Sequence, residues 1–436
     1  MKTNVHVKTP APLTHGGVRA ARISPEAQLR RSVLATLLWE DQFYEDGQTI
    51  AGRIQMLAQQ VAPAKVAALA VEAREQQHLR HVPLLLARAL ARTGGALAGD
   101  TIARVIQRPD ELGEFLSLYW DGKRTPLAKQ VKRGLALAFG KFDAYQLAKW
   151  NRADAAIKLR DVLFLTHAKP KDESQAAVWK QLVDGTLPAP DTWEVALSGG
   201  ADKHATWTRL LTEGKLGYLA LLRNLRNMEQ AGVDKALVRQ AILARKGADK
   251  VLPFRFIAAA KAAPSFEPAL DQALIASIAS ARPFTGTTAL LVDVSGSMDA
   301  KLSVKSDLTR MDAAAALAAV FPGETEVFTF SSRVVQVPAR KGMAGVEAII
   351  RSQPHSNTAL AEAVGVINAK GGYDRLVVIT DEQATTGGIP EPVAPKAYMI
   401  NVASHQNGVG YGRWTHLDGF SENVLRWMAE LEQLTG

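Results

Sequence analysis

From about Pro25 to Ala281 the apolar residues recur at three- and four-residue spacing. The runs include Thr49–Ala62, Pro63–Gln77, Val82–Arg92, Gly99–Arg108 and Ser174–Asp184, each closed by Gly, Pro or Asp. Alanine, leucine, arginine and glutamine dominate, and β-branched runs are scarce. This grammar predicts short helices joined by short loops, stacked in pairs as in a HEAT-like solenoid, although no sharp internal repeat stands out. The grammar changes at Ala281-Arg-Pro-Phe-Thr-Gly286. Beyond it the predicted strands are Thr288–Asp293, Thr325–Phe330, Val334–Pro338, Arg375–Asp381 and Ala397–Val402. The predicted helices are Thr309–Phe321, Gly345–Ser352, Thr358–Ala369 and Ser421–Leu434. Apolar strands alternating with amphipathic helices predict a doubly wound α/β sheet. Ser331-Ser-Arg333 reads as the turn of a hairpin. The expected organisation is a flexible arm over 1–24, an α-helical module over 25–284 and an α/β domain over 285–436.

Charge separates the same two halves. Residues 1–284 hold 40 Lys and Arg against 27 Asp and Glu, whereas residues 285–436 hold 12 against 16. The first half can attract a polyanion and the second cannot. Cysteine is absent, which excludes disulfides, thiol catalysis and Cys-ligated zinc. Met1 to Gly17 has no apolar core of a signal peptide, and no stretch is long enough to span a bilayer. The expectation is a cytoplasmic protein with no membrane partner.

The candidate chemistry lies where strands end. Ala289-Leu-Leu-Val292 runs into Asp293-Val-Ser-Gly-Ser297, and Leu376-Val-Val-Ile-Thr-Asp381 likewise stops on a carboxylate. Ser356-Asn-Thr358 precedes a helical run. An open parallel sheet binds ligands at the carboxyl ends of its strands, so these oxygens are expected to converge there. Hard oxygen donors of low formal charge suit Mg²⁺ or another divalent cation, with a position left for an external ligand. The competing reading is a plain turn, with Asp293 capping the loop and the serines satisfying backbone. The loop is neither Gly-x-Ser-x-Gly nor a P-loop.

The Asp-x-Ser-x-Ser, Thr, Asp order resembles the metal-ion-dependent adhesion site of von Willebrand factor A domains. That resemblance implies metal contact by Ser295, Ser297 and Thr358, with Asp293 and Asp381 acting largely through water. A hairpin edge strand also belongs to that domain type.

In the helical half, Lys149-Trp-Asn-Arg-Ala-Asp154 through Lys158-Leu-Arg-Asp-Val-Leu-Phe-Leu-Thr-His-Ala-Lys-Pro-Lys171, and Gly217-Tyr-Leu-Ala-Leu-Leu-Arg-Asn-Leu-Arg-Asn-Met228, resemble the TROVE module. A basic helical module followed by an acidic von Willebrand factor A domain is similar to the Ro ribonucleoprotein family. That resemblance, over roughly residues 25–436, implies a ring of HEAT-like repeats closed by the α/β domain. It implies Y RNA on the outer basic surface and 3′ ends of misfolded or unprocessed noncoding RNA in a central hole. It further implies a recruited exoribonuclease, a monomeric scaffold and no enzymatic activity of its own.

The residues themselves point the same way. Residues 123–180 contain 13 Lys and Arg against 5 Asp and Glu. On a continuous helix Lys149 and Arg152 share a face, as do Arg160 and His167, with Lys169 and Lys171 just beyond its end. With Lys158, this array suits phosphates, and His167 can meet a base. The bland readings are a solvated helix face for the cations and a helix C-terminal cap for His167. Trp150 reads either as a stacking platform or as an anchor between helices. In the Arg223 helix, Leu219, Leu222 and Leu225 are expected to form the core face. Arg223 and Asn227 would then lie one turn apart on the other side, near the hole as the resemblance implies, or Arg223 and Asn224 would tie helices together.

Two functions from different classes emerge. One is an RNA-binding scaffold in RNA quality control. The other is a metal-dependent protein–protein adhesion module with the helical half as scaffold. A metal hydrolase using Asp293 and Asp381 fits least, because no second carboxylate cluster or histidine base is evident.

Overall fold

A computed structural model describes residues 24–34, 47–77, 79–93, 95–248, 251, 254–279, 282–302, 308–381, 388–402, 412–418, 424–425, 428–429 and 431–432. Residues 1–23 of the expected arm and most of the expected helix Ser421–Leu434 lie outside these. The chain divides into two compact units, Ile50–Lys250 and Val251–Gly436 with Met1–Thr49.

The first unit is helical throughout. Its early helices are Pro63–Glu75, His81–Thr93, Leu97–Val105, Asp110–Trp120 and Lys129–Phe139. Each packs on the next, on the next but one, or on both, which is how stacked helical pairs bury a continuous core. The helices Leu97–Val105 and Lys129–Phe139 cross closely because Gly99 faces Gln130 and Gly134 faces Ile102. A Cβ on Gly134 would stand 2.6 Å from the Gly99 carbonyl. Buried Glu111 knits three segments together. Its oxygens accept from Arg74 Nη2 at 2.7 and 2.9 Å and from the backbone N–H groups of Gln107 and Arg108 at 2.8 and 3.0 Å.

The second unit carries a six-stranded sheet. Its strands are β1 (Phe284–Asp293), β2 (Gly323–Phe330), β3 (Val334–Val337), β4 (Arg375–Thr380), β5 (Lys396–Asn401) and β6 (Thr415–Asp418), in the order β3-β2-β1-β4-β5-β6. Only β3 is antiparallel, paired with β2 as a hairpin at the edge; the other pairs are parallel. Every residue of β4 is buried, and so is every residue of β1 from Thr288 to Asp293, because helices cover both sheet faces. One face packs Leu291, Phe328, Leu360, Val364, Val378 and Met399 into a single core. Helices Phe254–Ala262 and Glu267–Ala279 belong to this unit. They pack on Arg310–Ala319 and Gly342–Ile350, fastened by Lys261 to Asp312 at 2.5 Å and by Asp271 accepting from the Met343 N–H at 2.8 Å. Strand order reverses between β1 and β4, so the crevice of a doubly wound sheet falls at their carboxyl ends.

Candidate metal centre and nucleic-acid interface

Asp293 ends β1 and Asp381 follows β4, so the two carboxylates flank the crevice. Asp293 is fully buried and committed to positioning the loop. Its Oδ1 accepts from the Ser295 N–H at 2.9 Å and its Oδ2 from Thr380 Oγ1 at 2.6 Å. Ser295 Oγ lies 3.3 Å from Ser297 Oγ, which lies 3.2 Å from Asp381 Oδ1. Thr358 is buried two residues before the helix Leu360–Lys370. Its loop is tied to the first by the Gly296 N–H donating to the Ser356 carbonyl at 3.0 Å, and to the end of β2 by the Ala359 N–H donating to the Ser331 carbonyl at 3.0 Å.

Burial, aided by the neighbouring Asp381 charge, pushes the Asp293 carboxyl well above the usual carboxylate range. A buried carboxyl held that high marks a place where added positive charge is favourable. The oxygen spacings of 3.2 and 3.3 Å are close to the edge of about 3 Å expected for an octahedron with Mg²⁺–oxygen distances of about 2.1 Å. The donor set therefore fits a small divalent cation. Among the described residues no three His, Cys, Asp or Glu side chains cluster as metal ligands.

Two neighbours escaped the sequence reading. Arg310 opens the helix Arg310–Ala319, is buried, and donates from Nη1 to Asp381 Oδ2 at 2.7 Å. Only the capping box Thr309-x-x-Asp312, which fixes that helix start, was visible in the sequence. His355 immediately precedes Ser356 on the same loop. Its Nδ1 lies 3.3 Å from Asp299 and its Nε2 3.0 Å from the Ile350 carbonyl, so both ring nitrogens are engaged.

Of the candidate RNA-binding residues, Lys149, Arg160 and Arg223 lie within helices, and Arg152, Lys158, His167, Lys169 and Lys171 lie outside them. The helix Ala144–Trp150 stops before Arg152, which is exposed and pairs with Asp154 at 2.6 Å. Lys149 and Arg152 therefore share no helix face. Asn151, Arg152 and Asp154 offer local side-chain and turn bonds that compete with the helix. Nor do Arg160 and His167 share one. The helix is Leu159–Thr166, and His167 is its left-handed cap at φ 53°. Lys158 precedes that helix, its N–H donating to Asp161 at 3.1 Å. Arg160, His167, Lys169 and Lys171 are exposed, and Lys149 and Lys158 half-buried. One band of chain, 149–171, thus carries all seven groups.

Trp150 is half-buried beneath the Arg108 guanidinium, 3.8 Å from its ring centroid, with Arg108 held by Asp110. That favours the anchor reading for one ring face. The missed aromatic is Phe164, 58% exposed on the helix that carries Arg160. Its signal was its place off the buried Leu159, Val162 and Thr166 stripe. In the helix Tyr218–Gln230 the core face is Tyr218, Leu221, Leu222, Leu225 and Met228, while Leu219 is 41% exposed. The expected Leu219 register is corrected by one residue, because aromatic Tyr218 takes the buried place and donates to the Ile242 carbonyl at 2.7 Å. Arg223 is exposed. Asn224 is buried and donates to its own helix at Ala220.

The TROVE domain family matches residues 173–279. Telomerase protein component 1 of Mus musculus is 33% identical over 110 residues, and that of Rattus norvegicus is 32% identical over 110 residues. Each match covers 24% of this chain and only 4% of the relative. The crystal structure of the Ro (Rsr) protein of Deinococcus radiodurans superposes with a TM-score of 0.65 at 21% identity, covering 94% of this chain and all of that one. The chain shares that fold: a helical repeat unit and an α/β unit of the von Willebrand factor A type.

Proposed function

We propose that this chain, a TROVE-domain protein with the fold of a bacterial Ro protein, is an RNA-binding scaffold. The observation that carries the reading is the band 149–171, where six cations and His167 line one stretch of chain around exposed Phe164. Cations release counterions from a phosphate backbone, and an exposed aromatic among them can stack on an unpaired base. Arg223 adds a further exposed cation in the same unit. The RNA would be structured, of the Y RNA type, while misfolded or precursor RNAs would offer single-stranded 3′ ends to a separate exoribonuclease.

The α/β unit supplies the second half of the reading. Ser295, Ser297 and Thr358 would hold Mg²⁺ or a similar cation, with Asp381 beside them and Asp293 fixing the loop. Bound there, the cation offers an open position for a carboxylate of a protein partner. The site is not built for hydrolysis. Phosphodiester cleavage commonly uses two metals about 4 Å apart held by several carboxylates. Here one carboxylate accepts a hydrogen bond on each oxygen and the other is paired with Arg310. No helix among the described residues is long and apolar enough to cross a membrane.

Fluorescence anisotropy with a labelled structured RNA tests the reading. Binding that weakens steeply with salt is expected. Absence of binding at low salt contradicts it.

A further inference from the structure

Arg310 stands where a cation is least welcome. It is the first residue of its helix, whose positive dipole end opposes a guanidinium. It is also 2% exposed, so desolvation opposes it as well. Among the groups that hold it are Asp381, whose Oδ2 accepts from Nη1 at 2.7 Å, and the Ser297 carbonyl at 3.4 Å. Both belong to the candidate metal centre. The other carboxylate oxygen, Oδ1, faces Ser297 Oγ. Asp381 is therefore shared between a permanent internal cation on one side and the hydroxyl cluster on the other.

We propose that Arg310 is the built-in counter-cation of this centre: it holds the crevice assembled without a metal and keeps the centre's divalent affinity low. The inference rests on the metal reading above. Asp381 is already paired with Arg310, so a divalent ion arriving beside it adds to a positive charge already in place. That surplus is relieved when an external anion, such as a partner carboxylate, completes the site. Arg310 thus makes occupancy of the site depend on the partner. It acts through Asp381 and is a positioning and affinity-setting residue.

The test uses the full chain, stripped with chelator, and Mn²⁺ alone as probe. Calorimetry compares wild type, Arg310→Gln and Arg310→Lys. Removing one positive charge a few ångströms from a divalent ion is expected to tighten Mn²⁺ binding by roughly tenfold or more. Arg310→Lys, which keeps the charge, stays near wild type. Equal affinity in wild type and Arg310→Gln overturns the proposal while leaving the metal site standing. No Mn²⁺ heat in any of the three overturns the metal reading and the proposal with it. Should Arg310→Gln not fold in chelator, it is refolded with and without Mn²⁺. Recovery of native circular dichroism only with Mn²⁺ supports the internal-cation role. Failure in both conditions overturns it.

Discussion

Replacing Lys149, Arg152 and Arg160 by alanine and His167 by asparagine should weaken RNA binding through its salt dependence. Three permanent charges are removed. Arg152 is engaged by Asp154, but both side chains are more than 60% exposed. Such an exposed pair is screened by solvent and yields readily to a phosphate. Arg160 lies 4.0 Å from Asp161 and is half-exposed, so it too is available. Asparagine replaces His167 because alanine at φ 53° would itself cost about 1 kcal/mol, whereas asparagine tolerates that backbone. Each phosphate contact to a duplex contributes about 0.9 to the slope of log K against log salt, so three give about 2.7. Between about 50 and 200 mM salt the wild type should then lose roughly 40-fold more affinity than the variant. Anisotropy titrations at four salt concentrations read this directly, and thermal melts check that the variant stays folded. An unchanged slope in a folded variant would mean that the band 149–171 is a solvated face and touches no RNA.

Glu111→Gln should destabilise the helical unit by about 3–5 kcal/mol in urea unfolding, because buried Arg74 loses its counter-charge; a loss below about 1 kcal/mol refutes that role. Asp293→Ala should abolish Mn²⁺ heat in calorimetry and leave the RNA salt curve unchanged; parallel loss of both would show that the two activities are coupled. Purified protein with Mg²⁺ and labelled single-stranded RNA should give no cleavage. Cleavage that disappears in an Asp293→Ala, Asp381→Ala variant would promote the hydrolase reading.

The strands were legible because β1 and β4 are apolar runs that end on a carboxylate, a pattern that survives burial on both faces. The crevice followed from that, since a parallel sheet gathers its strand ends. β6 was missed because Thr415-His-Leu-Asp418 is short and mostly polar, and only its pairing with β5 makes it a strand. Arg310 was missed because its partner lies 71 residues away, and no local pattern distinguishes a buried arginine from an exposed one. The helix end at Trp150 failed for the opposite reason. Helical spacing continues past it on paper, while the local bonds of Arg152 and Asp154 end the helix in space.

The account turns on where RNA touches the chain. Ultraviolet crosslinking of the purified protein to a structured RNA, followed by mass spectrometry of the crosslinked peptides, reads that position directly. The account predicts crosslinks at Phe164 and His167 and in the peptides spanning 149–171, and their loss in Phe164→Ala. Crosslinks confined to peptides of the α/β unit, with none in 149–171, would contradict it.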